Sequence, residues 1–323
     1  MQLNPPPAAA VAAFIASVQK LTNDQGRLLL AVSGGPDSLA MLMLAHAALP
    51  RSIIAATVDH GLRPEATAEA EFVYQLCTKL DVAHHILRPD LPIIGNIQSE
   101  ARMARYALLS QHAVSKGCNW IATAHHADDQ LETVLMRVAR GSGIDGLAAV
   151  RQRQDHIIRP MLSFRKAELE AICTACNVTA VQDPSNENDR YDRVAMRQWL
   201  AEAGHPFDAL RAVRSASAFA DAAQALDWMT ERLYQSHVHD DGKAIILQTN
   251  DLPREMLRRL TLRIIGEIQP GYAPRGEALD QAMLALKNGT QCMLGNVLCE
   301  GQSNGQIESY AAWRFRPAPQ RRH

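Results

Sequence analysis

The chain has 323 residues, of which 47% are hydrophobic and 21% are charged. These proportions are typical of globular proteins and exclude a wholly disordered or fibrous chain, and the length predicts about two domains. The 33 Lys and Arg residues balance 34 Asp and Glu residues, so the formal charge of −1 excludes a generally basic nucleic-acid coat. A polyanionic partner would therefore have to bind a local arginine patch.

Export and membrane insertion are not indicated by the sequence. No apolar run reaches the roughly 18 residues that a membrane span requires, and the apolar stretch 1–18 lacks the basic start of a secretory signal. The six cysteines are too few for a disulfide scaffold in a chain of this length. We therefore expect a cytoplasmic protein with reduced thiols and no membrane partner, and the sequence leaves a homodimer open.

Strand-like and helix-like segments alternate over the first two thirds of the chain. Short apolar runs predict strands at 28–32, 52–58, 83–87 and 120–124. Helices are predicted to follow them at 38–49, 65–80, 98–116 and 127–139. This alternation predicts an α/β fold with a doubly wound parallel sheet, in which ligands bind at the carboxyl ends of the strands.

The pattern changes after about residue 209. Helices are predicted at 210–233 and 253–268, a strand is predicted at 244–248, and the basic tail 314–323 is expected to be mobile. The apolar stretch 291–299 is either a bent strand or a turn, because Gly295 interrupts it. We predict an N-terminal domain over 1–209 and a second, smaller, mostly helical domain over 210–323.

The hexapeptide Ser-Gly-Gly-Pro-Asp-Ser lies between the first predicted strand and the first predicted helix. Gly34 and Gly35 allow backbone amides to approach a phosphate closely, and the following helix contributes the positive end of its dipole. Ser33 and Ser38 add hydroxyl donors, and Asp37 fits this setting as the ligand or anchor of a divalent cation. The hexapeptide is not a Walker A loop, because the Gly-Lys-Ser/Thr sequence is missing. An ordinary glycine turn is the simpler alternative.

A second polar cluster follows the fourth predicted strand. It contains His125, His126, Asp128, Asp129 and Glu132, and helical spacing places the acids on one side of the next helix. Carboxylates clustered at the end of a strand can hold Mg²⁺ or an ammonium ion, although acids in a first helical turn also act as caps. The spacing differs from the His-Glu-x-x-His pattern of a zinc site.

These motifs resemble those of the N-type ATP pyrophosphatases, or PP-loop proteins, and among them the tRNA(Ile)-lysidine synthetases. The hexapeptide resembles the pyrophosphate loop, and the resemblance covers about residues 28–200. The other matching blocks are Asp-His-Gly-Leu-Arg at 59–63, Asn-x-Gln-x-x-Ala-Arg-x-x-Arg-Tyr at 96–106, Arg-Gly-Ser-Gly at 140–143, Arg-Pro-Met-Leu at 159–162, and the segment 183–197. Val194 stands where the family usually has Asn. The resemblance implies an adenine nucleotide alpha hydrolase-like fold followed by a tRNA-binding domain.

The resemblance also implies an activity. Such a ligase uses ATP to join free L-lysine to the wobble cytidine of an isoleucine tRNA with a CAU anticodon. The carbon-2 oxygen of the cytosine attacks the α-phosphorus, which gives an adenylated cytidine and releases pyrophosphate. The ε-amine of lysine then displaces AMP and forms lysidine.

Roles for individual residues follow from the same resemblance. ATP would be bound by Ser33, Gly34, Gly35, Pro36, Asp37, Ser38 and Asp59, with Mg²⁺ held by Asp37. The expected catalytic residues are Asp37, Arg105 and His125, the last as a proton acceptor. Lysine would be bound by Asp128, Asp129, Glu132 and Arg102. The tRNA would be bound by Arg140, Arg193 and Arg197, with a further patch at Arg254, Arg258, Arg259 and Arg263.

Several alternatives stay open. Arg102 and Arg105 fit a solvated helix face as well as they fit a site for the adenylate phosphate or the lysine carboxylate. Cys173 and Cys176 form a C-x-x-C sequence, which would suit a PP-loop tRNA thiolation enzyme, although buried helix cysteines explain it too. A non-catalytic module that binds a nucleotide or tRNA is a third possibility.

Overall fold

The computed structural model describes residues 2–23, 25–61, 64–89, 97–180, 192–202, 204–302 and 312–319. The chain divides into two compact units, Met1–Ala220 and Asp221–His323. The division falls within a long helix, Ala209–His237, and lies later in the chain than the boundary predicted after residue 209. Among the described residues, no helix has the length and apolar character needed to span a bilayer.

A six-stranded sheet forms the centre of the first unit. Its strands are β1 (Leu28–Ala31), β2 (Ile53–Val58), β3 (His84–Leu87), β4 (Trp120–Ala122), β5 (Arg153–Gln154) and β6 (Ile157–Ile158). The order is β3-β2-β1-β4-β6-β5, and every pairing is parallel except that of β5 with β6. The predicted α/β fold with a parallel sheet is confirmed.

Helices cover both faces of this sheet. They are α1 (Ala8–Thr22), α2 (Pro36–Ala48), α3 (Pro64–Lys79), α4 (Ile97–Ser115), α5 (Ala127–Ala139), α6 (Ile144–Leu147), α7 (Lys166–Ala175) and α8 (Asp192–Glu202), with a short 3-10 helix at Pro160–Ser163. Leu28 and Leu30 of β1 pack in a core with α1, α2 and α7, whereas Leu29 packs on the opposite face with Leu109 of α4. The sheet is wound on both sides because alternate residues of its buried strands point to opposite faces.

The strand order reverses next to β1. From β1 the chain adds β2 and β3 on one side, and then β4 and β6 on the other. Open α/β sheets bind ligands in the crevice at such a switch point, beyond the carboxyl ends of the strands. The hexapeptide follows β1 and the His125–His126 pair follows β4, so the topology brings both predicted motifs to one crevice.

The second unit combines helices with a five-stranded antiparallel sheet. Its helices are the C-terminal part of α9 (Ala209–His237), α10 (Arg254–Ile268) and α11 (Gly276–Lys287). The strands β7 (Val238–Asp240), β8 (Ile245–Gln248), β9 (Gln291–Leu294), β10 (Val297–Gln302) and β11 (Ala312–Pro317) lie in the order β7-β8-β11-β10-β9. Leu260 and Ile264 of α10 are buried in one core with Val297 and Phe315 of the sheet.

The structure decides one alternative that the sequence left open in the second unit and contradicts one expectation. The stretch 291–299 is a hairpin, because Gly295, with a φ of +59°, and Asn296 form a two-residue turn between the paired Leu294 and Val297. The start of the tail that we expected to be mobile lies in β11, where it pairs with both β8 and β10. That expectation was wrong because the buried side chains of Trp313 and Phe315 anchor the strand.

Candidate active site

The loop between β1 and α2 has a backbone suited to binding phosphate. Gly34 has a φ of +92°, a conformation that strains residues with a Cβ. Gly35 is extended at the N-terminus of α2, and Pro36 occupies the first helical turn. The amides of that turn have no partner within the helix, so they and the helix dipole form an anion site.

Hydrogen bonds of the Ser38 side chain stabilise this loop. Its hydroxyl accepts a hydrogen bond from the Ser33 amide at 3.1 Å and donates to the Gly35 carbonyl at 2.9 Å. Ser38 is only 5% exposed, and its hydroxyl also lies 3.3 Å from that of Ser33. The two hydroxyls predicted to bind phosphate therefore contact each other and shape the loop.

Asp59, at the end of β2, organises the loop that follows it. The buried carboxylate accepts hydrogen bonds from the Gly61 amide at 3.0 Å, the Thr67 hydroxyl at 3.2 Å and Arg88 Nε at 3.1 Å. Burial raises the pKa of Asp59, but these hydrogen bonds and the charge of Arg88 lower it by more. The carboxylate predicted to bind nucleotide is therefore already held by the protein's own donors.

His126 joins the two sequence motifs. Its Nε2 lies 3.6 Å from Asp37 Oδ2 and 3.4 Å from Asp129 Oδ2. It also caps α5, since the His126 amide donates to Asp129 Oδ2 at 3.1 Å and the Asp129 amide donates to His126 Nδ1 at 3.3 Å. Residues predicted separately after β1 and β4 thus contact one another.

The charge of His126 is subject to opposing effects. Burial lowers its pKa, and the carboxylates of Asp128 and Asp37, each 3.6 Å away, together with the charge of Asp129 raise it by more. The cap hydrogen bond needs a free lone pair on Nδ1, so it favours the neutral ring. The acidic neighbours therefore contact His126 whether its ring is neutral or protonated.

Asp37 keeps one carboxylate oxygen free. Its Oδ1 is buried and has no hydrogen-bond partner in the described part of the chain, whereas Oδ2 faces His126. Within those residues, no group of three His, Cys, Asp or Glu side chains could hold a metal ion unaided. Mg²⁺ is usually bound by one or two carboxylates together with waters and substrate phosphates. Asp37 beside a phosphate loop fits that pattern.

The acids of α5 are paired with arginines of α8. Glu132 is 6% exposed and accepts hydrogen bonds from Arg193 Nε at 3.0 Å and Arg197 Nε at 2.7 Å. Arg193 Nη2 also donates to Asp129 Oδ1 at 3.3 Å. The four-residue spacing places both guanidinium groups on one helix face. Residues predicted to bind lysine and residues predicted to bind tRNA therefore bind each other in this structure.

Asp128 is the most accessible acid of the cluster. Its side chain is 40% exposed, against 14% for Asp129 and 7% for Glu132. Its Oδ2 accepts the Lys166 amide at 2.7 Å. The neighbouring His126 ring lowers the pKa of Asp128 and the Lys166 amide lowers it further, against the effect of burial. Asp128 is thus the acid best placed to meet a ligand cation.

His125 is a neutral ring among charges. Its Nδ1 lies 2.9 Å from the Thr123 hydroxyl. Burial lowers its pKa to about 4; the charge of Asp129 opposes this shift, and the charges of Arg159 and Arg102 add to it. A ring that is neutral near pH 7 has a lone pair that can accept a proton, although a pKa of about 4 makes it a weak base.

The predicted arginines occupy different positions. The Arg102 guanidinium carbon lies 5.1 Å from the centroid of the Tyr106 ring. Arg105 is exposed and close enough to His60 to lower that ring's pKa, after the larger effect of burial. Arg140 is exposed at the C-terminus of α5. The matched positions 62–63, 96 and 183–191 lie outside the described residues.

The C-x-x-C cysteines pack behind the phosphate loop. Cys173 and Cys176 are both buried, and Cys173 Sγ donates to the Pro36 carbonyl at 3.2 Å. Burial raises the pKa of Cys173 to about 12, so its thiol stays protonated. Sequence reasoning did not find this contact, because α7 reaches α2 only through tertiary packing.

The arginines of α10 form ion pairs rather than an open patch. Arg259 is 7% exposed and donates to Asp227 at 2.6 Å and to Glu255 at 3.0 Å. Arg263 pairs with Glu231 of α9. The second tRNA patch expected from the sequence is thus largely neutralised by acids within its own unit.

Comparisons with known proteins show which family the chain resembles. The family model described as PP-loop domain matches residues 8–203. The tRNA(Ile)-lysidine synthase of Zymomonas mobilis is 40% identical over 306 residues, which cover 92% of this chain and 90% of that protein. The tRNA(Ile)-lysidine synthase of Novosphingobium aromaticivorans is 39% identical over 320 residues, covering 97% and 95%.

A solved structure supports the fold. The U34-tRNA thiolase NcsA from Methanococcus maripaludis, determined with its 4Fe-4S cluster, superposes with a TM-score of 0.55 over 65% of this chain and 79% of that chain. The sequence identity is 18%, so the likeness concerns the fold alone.

Proposed function

Because this chain belongs to the PP-loop family and, within it, to the tRNA(Ile)-lysidine synthases, we propose that it uses ATP to ligate free lysine to the wobble cytidine of an isoleucine tRNA with a CAU anticodon. The observation that carries this proposal is the proximity of Asp37 and His126. It unites a phosphate loop and an acidic cluster in one crevice.

The first step needs a leaving pyrophosphate and an exposed α-phosphorus. The loop amides at Gly34 and Gly35 and the N-terminus of α2 bind the outer phosphates. Mg²⁺, held at Asp37 Oδ1, would offset the charge that develops on the leaving group. The carbon-2 oxygen of cytosine forms a bond to the α-phosphorus as the bond to pyrophosphate breaks, which leaves an adenylated cytidine.

The second step needs a neutral amine beside the activated carbon. Asp128 attracts the ε-ammonium group of lysine, since it is the acid with most access to solvent. His125, whose ring is neutral, accepts the proton that the attacking nitrogen loses as the new bond forms, when that proton is most acidic. The new carbon–nitrogen bond forms as the carbon–oxygen bond breaks, and AMP leaves with the oxygen.

Arg193 and Arg197 have a positioning role in this scheme. Their hydrogen bonds fix the carboxylates of Asp129 and Glu132. Asp129 in turn caps α5 through His126. The arginines thus keep the carboxylates of the acidic cluster in a fixed position relative to the phosphate loop.

The test combines the purified protein with ATP, labelled lysine and an isoleucine tRNA transcript that carries the CAU anticodon. We expect label in the tRNA, together with AMP and pyrophosphate. A matched transcript with uridine at the wobble position should remain unlabelled. Unlabelled tRNA in every reaction would overturn the proposal.

The same reactions separate the rival functions. A thiolation enzyme that uses a 4Fe-4S cluster would contain iron and introduce sulfur into the tRNA, whereas the ligase introduces lysine. A binding module would retain tRNA and release no pyrophosphate.

A further inference from the structure

Arg159, at the carboxyl end of β6, is a buried guanidinium group that no carboxylate neutralises among the described residues. It is 5% exposed, and its Nη1 donates to the Arg151 carbonyl at 2.6 Å. Its Nε is buried without any hydrogen-bond partner in the part of the chain that the structure describes. A buried charge costs several kcal/mol unless it is paired. This guanidinium group therefore indicates a place where an anion binds.

The groups around Arg159 are hydroxyl or cationic. The Tyr106 hydroxyl is close enough to Arg159 to affect its pKa, and Arg102 Nη2 lies 3.5 Å from the same hydroxyl. Burial lowers the pKa of Arg159, the nearby Tyr106 hydroxyl opposes this, and the like charge of Arg102 adds to it. Two guanidinium groups that converge on one hydroxyl would be stabilised by an oxyanion between them.

The position of Arg159 separates it from the phosphate loop. β6 pairs with β4, and β4 pairs with β1. Two strand spacings, about 10 Å, therefore lie between the end of β6 and the loop after β1. The outer phosphates of a nucleotide already have the amides of that loop, so a different anion is needed at β6.

The acidic cluster lies between these two places. His125 is influenced by Arg159 and Arg102 on one side and by Asp129 on the other. The crevice thus has an acidic region and a separate cationic region. This distribution matches an amino acid that carries an ammonium group at one end and a carboxylate at the other.

We propose that Arg159, together with Tyr106 and Arg102, binds the α-carboxylate of the amino acid substrate. This inference rests on the proposed function and adds Arg159 and Tyr106 to the residues that select the substrate. Arg159 donates to the carboxylate from its Nε, which is unpaired among the described residues, and the exposed Arg102 donates to it from the solvent side. The Tyr106 hydroxyl fixes the spacing of the two guanidinium groups. The ε-amine then lies toward Asp128 and His125.

The test compares lysine with lysinamide, which keeps both amines and lacks the charged carboxylate. In the wild-type enzyme we expect the KM for lysinamide to exceed that for lysine by about 10- to 100-fold, as befits the loss of charged hydrogen bonds. In Arg159→Gln, the KM for lysine should rise by a similar factor while that for lysinamide changes little. The KM for ATP should stay unchanged.

Two controls keep the test decisive. Arg153→Gln removes an arginine from the neighbouring strand, where Arg153 is exposed and lies over the Trp120 ring, and it should preserve the wild-type preference for lysine. If Arg159→Gln fails to fold, Arg159→Lys and Tyr106→Phe are measured in its place. Both should lower the ratio of the two KM values.

The outcomes distinguish the possible anions. An unchanged preference for lysine in the Arg159 variants, combined with slower pyrophosphate release, would assign the group to the α-phosphate and overturn the inference. Equal use of lysine and lysinamide by the wild-type enzyme would overturn it too. A wild-type enzyme that ligates neither compound would contradict the proposed function itself.

Discussion

Arg197 donates from Nε to Oε1 of Glu132 at 2.7 Å, and Arg193 occupies the other oxygen of the same carboxylate at 3.0 Å. These residues come from helices α8 and α5, which are far apart in the sequence. The contact converts a set of separate charges into a fixed unit beside the phosphate loop. The acidic cluster is therefore held in shape before any substrate arrives.

Substitution of Glu132 should destabilise the first unit. We expect Glu132→Gln to lower the free energy of unfolding by about 2 kcal/mol. This is less than the roughly 3–5 kcal/mol for a fully buried pair, because the side chains of Arg193 and Arg197 are 33% and 39% exposed. In a double-mutant cycle, Arg197→Gln should be less costly in the Glu132→Gln background. Urea denaturation measures all of these values.

The matched control is the exposed pair of Lys166 and Glu170, whose charged atoms lie 3.9 Å apart. Glu170→Gln should change the unfolding free energy by no more than about 0.5 kcal/mol. Equal effects for the two glutamates would contradict a structural role for the Glu132 contacts.

Asp37 should be essential for the first chemical step and dispensable for folding. Its Oδ1 makes no hydrogen bond to the described residues, and Oδ2 contacts only His126, at 3.6 Å, among the interactions described above, so Asp37→Ala removes little stabilisation. We expect pyrophosphate release to fall at least about 100-fold, while the melting temperature stays close to that of the wild type. Asp37→Asn should behave alike, since an amide is a poor Mg²⁺ ligand in place of a carboxylate. Turnover near the wild-type rate in either variant would refute the proposed metal role.

The arginines of α10 should differ sharply in their effect on stability. Arg259 is 7% exposed and bonded to two acids, whereas the Arg254 side chain is 69% exposed beside Asp280. We expect Arg259→Gln to destabilise the second unit by about 1–3 kcal/mol, and Arg254→Gln by less than about 0.5 kcal/mol. Hydrogen exchange in α9 and α10 reports the difference. Indistinguishable exchange in the two variants would show that burial does not determine how much each arginine of α10 contributes to stability.

The sequence predicts the first unit well because its strands are apolar runs that end at polar or glycine-containing loops. The strand predicted at 28–32 is β1 (Leu28–Ala31), and the helix predicted at 127–139 is α5 with identical bounds. β6 consists of Ile157–Ile158 alone and carries no periodic signal. It exists because Ile157 pairs with Ile121 of β4, which is a tertiary relationship.

In the site, too, features formed by consecutive residues could be predicted, whereas contacts between distant segments could not. The phosphate loop and the acidic cluster are contiguous in sequence, so their residue types reveal them. The contacts of Glu132 with Arg193 and Arg197 span 61 and 65 residues, and no local pattern marks them. Arg159 could be read from the sequence as a surface arginine, because burial depends on how β6 and α4 come together.

Acid should weaken the first unit through His84. The ring is held at 2.8 Å from the Thr57 hydroxyl, and burial lowers its pKa from 6.5 to about 4. Between these values the unfolded chain binds the proton and the folded chain does not, so stability falls as the pH drops. The contribution of His84 is at most about 3.5 kcal/mol, from about 1.4 kcal/mol per pKa unit. Thermal melts from pH 7 to pH 4 measure it.

His84→Gln should flatten this part of the pH profile, because glutamine keeps a hydrogen-bonding group and cannot titrate. His239→Gln is the control, since His239 lies exposed on β7 in the other unit. A wild-type slope in the His84 variant would assign the acid sensitivity to other groups.

The central claim is that the crevice between β1 and β4 exposes the α-phosphorus of ATP to a tRNA base. The most direct measurement is the identity of the nucleotide products formed with lysine and the CAU transcript. The account predicts AMP and pyrophosphate in amounts equal to the lysine incorporated, and neither product when the tRNA is omitted. Formation of ADP and phosphate, or AMP release that does not depend on the tRNA, would contradict it.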